Sequence, residues 1–123
     1  EVLSKIYFYA ITGRPDPPHN CTAVNLTHSW LFIKCLRGFD GGLPQEFTCE
    51  VIQEWNDRVI SNITSKMQPE FQLTGLEART SYNIVIYSSN VKGRSKESVS
   101  FRVITLPNLT LQSRRIIGNV LYL

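Results

Sequence analysis

Between residues 21 and 106, apolar and polar positions trade places in short runs, each closed by Gly, Asn, Asp, Ser or Pro. The runs are CTAVNL, SWLFIKC, EFTCEVIQEW, DRVISNI, EFQLTGL, TSYNIVIYS and ESVSFRVITL, and no segment of useful length carries a helical period. Seven strands of this length and spacing predict an all-β chain, an antiparallel sandwich or barrel. A period of two sets Leu31, Ile33 and Cys35 on one face of the second run, and Phe47, Cys49 and Val51 on one face of the third. Those are the expected core faces.

The pattern changes at both ends. Residues 1–12, EVLSKIYFYAIT, form a β-branched and aromatic run, and GRPDPPHN then brings Pro15, Pro17 and Pro18. Proline fixes φ and removes amide donors, so this stretch is extended and cannot join the middle of a sheet. The expected organisation is the last strand of a preceding domain in 1–12, a proline-rich linker in 13–18, one β-module in 19–106, and a tail in 107–123. No run approaches the roughly 20 apolar residues of a membrane span, and the closing IIGNVLYL is too short to cross a bilayer. With neither a start methionine nor a signal-peptide pattern, the sequence reads as a piece of something longer.

The loop GFDGGLPQ raises the question of a ligand. A phosphate cradle needs Lys and Ser or Thr after its last glycine, whereas Leu43 and Pro44 follow Gly42. Gly38, Gly41 and Gly42 also miss the spacing of a dinucleotide fingerprint, and Asp40 is one carboxylate where calcium wants several. The loop is expected to be a strand connection, with glycines permitting positive φ.

Size and charge narrow the class without naming a chemistry. A chain of 123 residues holds one domain, and a net charge of +3 spread among acids implies no nucleic-acid partner. Compartment is more legible. Asn20, Asn25, Asn62 and Asn108 each open an Asn-x-Ser/Thr acceptor, a density that with three cysteines favours a secreted or cell-surface chain. Three cysteines leave at least one thiol over. Cys21 and Cys35 fall on neighbouring strands joined by a short turn, the expected disulfide, and Cys49 is placed like an ordinary core residue. Asn25 and Asn62, read as strand-end positions, are the foremost glycan acceptors, and early closure at Cys21 would hide Asn20.

The stretch LEARTSYNIVIYSSNVKGRS resembles the fibronectin type III signature, with Leu76, Thr80, Tyr82, Ile84, Ile86, Asn90 and Gly93 in its places. Asp40-Gly41-Gly42-Leu43-Pro44 also recurs in that family, and the resemblance covers about residues 17–106. It implies a seven-stranded antiparallel sandwich of immunoglobulin-like type, with Tyr82 as a tyrosine corner whose hydroxyl bonds upstream backbone. The family usually has a core Trp where Cys35 stands. The cysteines, GFDGGLPQ and NITSKMQPEFQLTGL together look like the membrane-proximal module of the Sidestep family, arthropod cell-surface proteins of the immunoglobulin superfamily; nephrin and hemicentin-like adhesion proteins carry similar loops. The Sidestep resemblance implies a single-pass membrane protein with its immunoglobulin domains preceding this module. It also implies an anchor after the module, a place on the extracellular side of the plasma membrane, and Beat-family immunoglobulin proteins as axon-guidance partners bound through other domains.

Catalytic chemistry finds little to build on. His19 lies beside the proline segment and His28 in a turn, and neither has a nucleophile placed opposite it. Cys21, Cys35, Cys49 and His28 lack zinc spacing, so no enzyme, metal or cofactor is expected. The loop NVKGRSKES carries neither Arg-Gly-Asp nor a Trp-Ser-x-Trp-Ser motif, which sets aside integrin and cytokine binding. Two readings remain: a spacer and interaction module of an adhesion or guidance receptor, and a heparan sulfate binder acting through Lys92, Arg94 and Lys96. Trp30 and Trp55 are half-exposed sheet aromatics on this reading.

Overall fold

The structure, a computed structural model, describes residues 11–108. The strand expected in 1–12 lies almost wholly outside the described residues, as does most of the tail. The described chain forms β1 (His19–Val24), β2 (Leu31–Leu36), β3 (Glu46–Gln53), β4 (Arg58–Ser65), β5 (Glu70–Leu73), β6 (Ser81–Asn90), β7 (Gly93–Arg94) and β8 (Val99–Ile104). One sheet runs β1-β2-β5; the other runs β4-β3-β6-β7, with β8 also on β6. All pairings are antiparallel, and the fold is the expected all-β sandwich.

The strand count differs from expectation, eight instead of seven, because a two-residue strand, β7, pairs with β6 inside the stretch read as the loop before the last strand. Ser89 pairs with Arg94 while Ile86 pairs with Val99, so the intervening residues bulge off the ladder. Buried Ser95 holds the break: its amide donates to Ser88 O at 2.8 Å and its hydroxyl to Glu97 O at 2.8 Å. The fifth strand is also shorter than its apolar run. Pairing ends at Leu73, and Gly75 turns the chain at φ 71°.

Between the sheets lie Leu31, Ile33 and Cys35 of β2, Phe47, Cys49 and Val51 of β3, Phe71 and Leu73 of β5, and Tyr82, Ile84 and Ile86 of β6. These include both faces expected from the period of two. Each such side chain contributes about 1.5–3 kcal/mol by leaving water, and together they fix the strand register. Tyr82 accepts a hydrogen bond on its hydroxyl from the Glu77 amide at 2.9 Å, the upstream bond of a tyrosine corner. Thr105 ties the same loop to the last strand, donating to Glu77 O and accepting from the Thr80 amide at 3.0 Å.

Candidate functional site

One end of the sandwich gathers the β2–β3 loop, the β6–β7 turn and the proline segment. Gly13 N–H donates to Gly41 O at 2.9 Å and Asp16 N–H to Phe39 O at 2.8 Å. The Asn90 side-chain amide donates to Gly13 O at 2.8 Å and to Asp40 O at 2.9 Å, while its Oδ1 accepts from the Lys92 amide at 2.8 Å. One side chain thus holds three pieces of chain. Gly41 and Gly42 have positive φ, 75° and 85°, as the loop composition implied. Gly38 serves closeness instead: a Cβ there would lie 2.6 Å from Pro17 O, and one at Gly41 would strike Gly13 O. The stretch read as a linker is therefore laid against the loop, with Pro15 and Pro18 buried.

The structure sets the three cations of the basic hairpin in different surroundings. Arg94 lies over the Tyr87 ring, its guanidinium carbon 3.6 Å from the centroid. Lys96 lines a groove with Arg14, Pro15, Asp16, Pro17 and Glu97, so two carboxylates border it. Lys92 is exposed at the turn. Arg14 packs its stem under Gly93, where a Cβ would come within 2.9 Å of its Cδ. This fourth cation was hidden by its distance along the chain.

Cys21 and Cys35 are joined in a disulfide across β1 and β2, and Cys49 is a buried free thiol. Burial, with a smaller contribution from the Glu50 carboxylate, pushes the Cys49 thiol up to about 12. It stays protonated and inert at neutral pH. Among the acceptor asparagines, Asn20, Asn25 and Asn62 are exposed. Asn20 and Asn25 both take left-handed backbone, φ 53° and 58°. Asn62 lies within β4, not at a strand end as expected, because β4 extends to Ser65, at the edge of its sheet among the described residues. Asn108 is the last described residue, and its acceptor hydroxyl, Thr110, lies outside the described residues.

Trp30 is half-buried in the turn before β2, where its amide donates to Thr27 Oγ1 at 2.9 Å. Trp55 stands 74% exposed at the β3–β4 turn, more than a half-exposed sheet aromatic would be. His19 opens β1 and His28 sits in the turn before β2, both exposed. Among the described residues no group of His, Cys, Asp and Glu is arranged to hold a metal ion, and no helix is long and apolar enough to cross a membrane.

This architecture, with sheets β1-β2-β5 and β4-β3-β6-β7/β8 and its tyrosine corner, is that of a fibronectin type III module. No family model matches the chain. Human nephrin (Homo sapiens) is 34% identical over 85 residues, 68% of this chain and 7% of nephrin, so the chain spans a small part of the relatives it matches. Domains d3-d4 of the rat CD45 extracellular region superpose with a TM-score of 0.67 at 14% identity, covering 76% of this chain and 51% of that one. The FN1-FN3 domains of chicken CNTN1 give a TM-score of 0.63 at 19% identity over 76% of this chain and 34% of theirs.

Proposed function

We propose that this chain is an extracellular, non-catalytic spacer and interaction module of a cell-adhesion or axon-guidance receptor. The observation that carries the reading is a fibronectin type III sandwich bearing three exposed Asn-x-Thr acceptors and a cross-strand disulfide. Disulfides and sequons both belong to the secretory route. The likeness to nephrin supports an adhesion setting, and the loop residues shared with the Sidestep family favour a single-pass receptor of that kind. Recognition of Beat-like immunoglobulin partners then belongs to other domains of the receptor. Secretion of the chain from insect cells tests the placement. Glycosidase treatment is expected to lower its mass, with peptides carrying Asn25 and Asn62 converted; secreted material with no mass shift would overturn the extracellular reading.

The second reading, heparan sulfate binding, draws on Arg14, which stacks under Gly93 and adds a cation to Lys92, Arg94 and Lys96. Retention on heparin at physiological salt, lost in a Lys92, Arg94 and Lys96 to Ala variant, would favour it. The carboxylates of Asp16 and Glu97 beside Lys96 weigh against it, and elution below physiological salt is the expected result.

A further inference from the structure

Among the described residues β4 forms one edge of its sheet. A sheet edge presents unpaired amides and carbonyls to any chain that can run alongside, and proteins blunt it with short strands, charges, prolines or bulges. Other edges of this sandwich are blunted in those ways. β5 has four residues and opens on Glu70, β7 has two, β1 meets β2 in an irregular register, and β8 carries Arg102 in an ion pair with Glu54. By contrast β4 is eight residues long, and between Arg58 and Lys66 the chain reads VISNITS, without a charge or a proline. Its bulge lies at Ile60, which leaves Ser61–Ser65 in unbroken register with β3. Val59 and Ile60 are 51% and 37% exposed at one end of this run, and Met67 is 78% exposed just past the other. An uncharged, β-prone segment with apolar ends on a sheet edge is a template for pairing between copies.

The middle of this run is the acceptor Asn62-Ile63-Thr64. Asn62 pairs with Glu50, whose neighbours Cys49 and Val51 are buried in the core, so Glu50 and Asn62 leave the sheet on its outer face. Asn62 and Thr64 are both exposed, and the acceptor amide and the hydroxyl of its motif stand open on that one face. We propose that a glycan on Asn62 guards this edge, taking the place that charge holds elsewhere and keeping a second copy of the chain from extending the sheet across β4. The inference rests on the extracellular reading and gives one of its acceptors a task. Pairing geometry supplies the mechanism. Two β4 strands from different copies continue one sheet antiparallel about a twofold axis perpendicular to it, so both Asn62 side chains emerge on the same face of a seam about 4.7–4.9 Å wide. Two asparagines fit there; two oligosaccharides, each far wider than the seam, do not.

The test compares variants of the full chain secreted from insect cells, by sedimentation velocity and by hydrogen exchange of the β4 amides. Asn62→Gln is expected to dimerise at least tenfold more strongly than the parent chain, with exchange in residues 59–65 slowed as protein concentration rises. Asn62→Lys sheds the same glycan but restores a charge to the edge, and is expected to stay as monomeric as the parent. So is Asn25→Asp, which sheds a sugar chain from the turn after β1, on the other sheet, where Asp tolerates the left-handed backbone. All three substitutions fall on exposed side chains, so the sandwich is expected to keep its fold. An Asn62→Gln protein no more associated than Asn25→Asp would overturn the guard, as would dimerisation that leaves β4 exchange unchanged, or a parent chain whose Asn62 carries no sugar. Any of these with a glycan still on Asn25 leaves the extracellular reading intact, whereas secreted chain bearing no glycan at all sinks both.

Discussion

Tyr82 and Cys49 sit in the same core and show how differently buried polar atoms are handled. The Tyr82 hydroxyl has a partner in the Glu77 amide, so Tyr82→Phe leaves that half-buried donor unmatched. Urea unfolding is expected to show a loss of about 1–2 kcal/mol with an unchanged slope. Cys49 has burial alone. Its thiol is neutral in folded and unfolded chains below pH 9, whereas between there and about 12 the unfolded chain gives up its proton and the folded chain keeps it. Stability is therefore expected to fall as pH rises through that window, by at most about 1.4 kcal/mol per pH unit. Cys49→Ala should flatten the alkaline limb, and a limb of the same steepness in both proteins would count against a buried neutral thiol. Residues with local partners were legible in the sequence. Asn90 was visible only as part of a hairpin signature, since its two carbonyl partners lie 77 and 50 residues away. Strand periodicity carries no information at such a range.

At the scale of elements, alternation located every strand except β7, and its failures have physical causes. The separation of β7 from β8 follows from Ser95, a small polar residue that turns inward to bond Ser88 and Glu97, where an apolar pattern gives no warning. The shortened β5 follows from Gly75 in left-handed backbone. Two glycines make a controlled comparison. Gly75 and Gly41 have nearly equal φ, 71° and 75°, but a Cβ at Gly75 meets nothing within 4 Å while one at Gly41 strikes the backbone of Gly13. Gly75→Ala is expected to cost about 1 kcal/mol and Gly41→Ala about 2–3 kcal/mol in thermal unfolding. The excess should vanish when the proline segment is removed; equal costs would mean that the segment does not dock. The Cys21–Cys35 bridge closes a separation of 14 residues, and its replacement by two serines is expected to cost about 3 kcal/mol.

For the whole molecule, the fold was legible because the tyrosine-corner stretch and the alternating runs are each confined to a few residues. The surface was not, because exposure depends on which turns close over which faces. Trp55 proves open to solvent and Trp30 half-covered, although both entered as equivalent sheet aromatics. Trp55 and the basic hairpin are among the places where a partner would find purchase on the module itself. The proposed spacer role leaves both unused. The most direct measurement is the partner affinity of the full ectodomain against one lacking residues 17–106. Agreement within about tenfold, roughly 1.4 kcal/mol, is expected of a spacer, and a larger loss would show that this module contacts the partner.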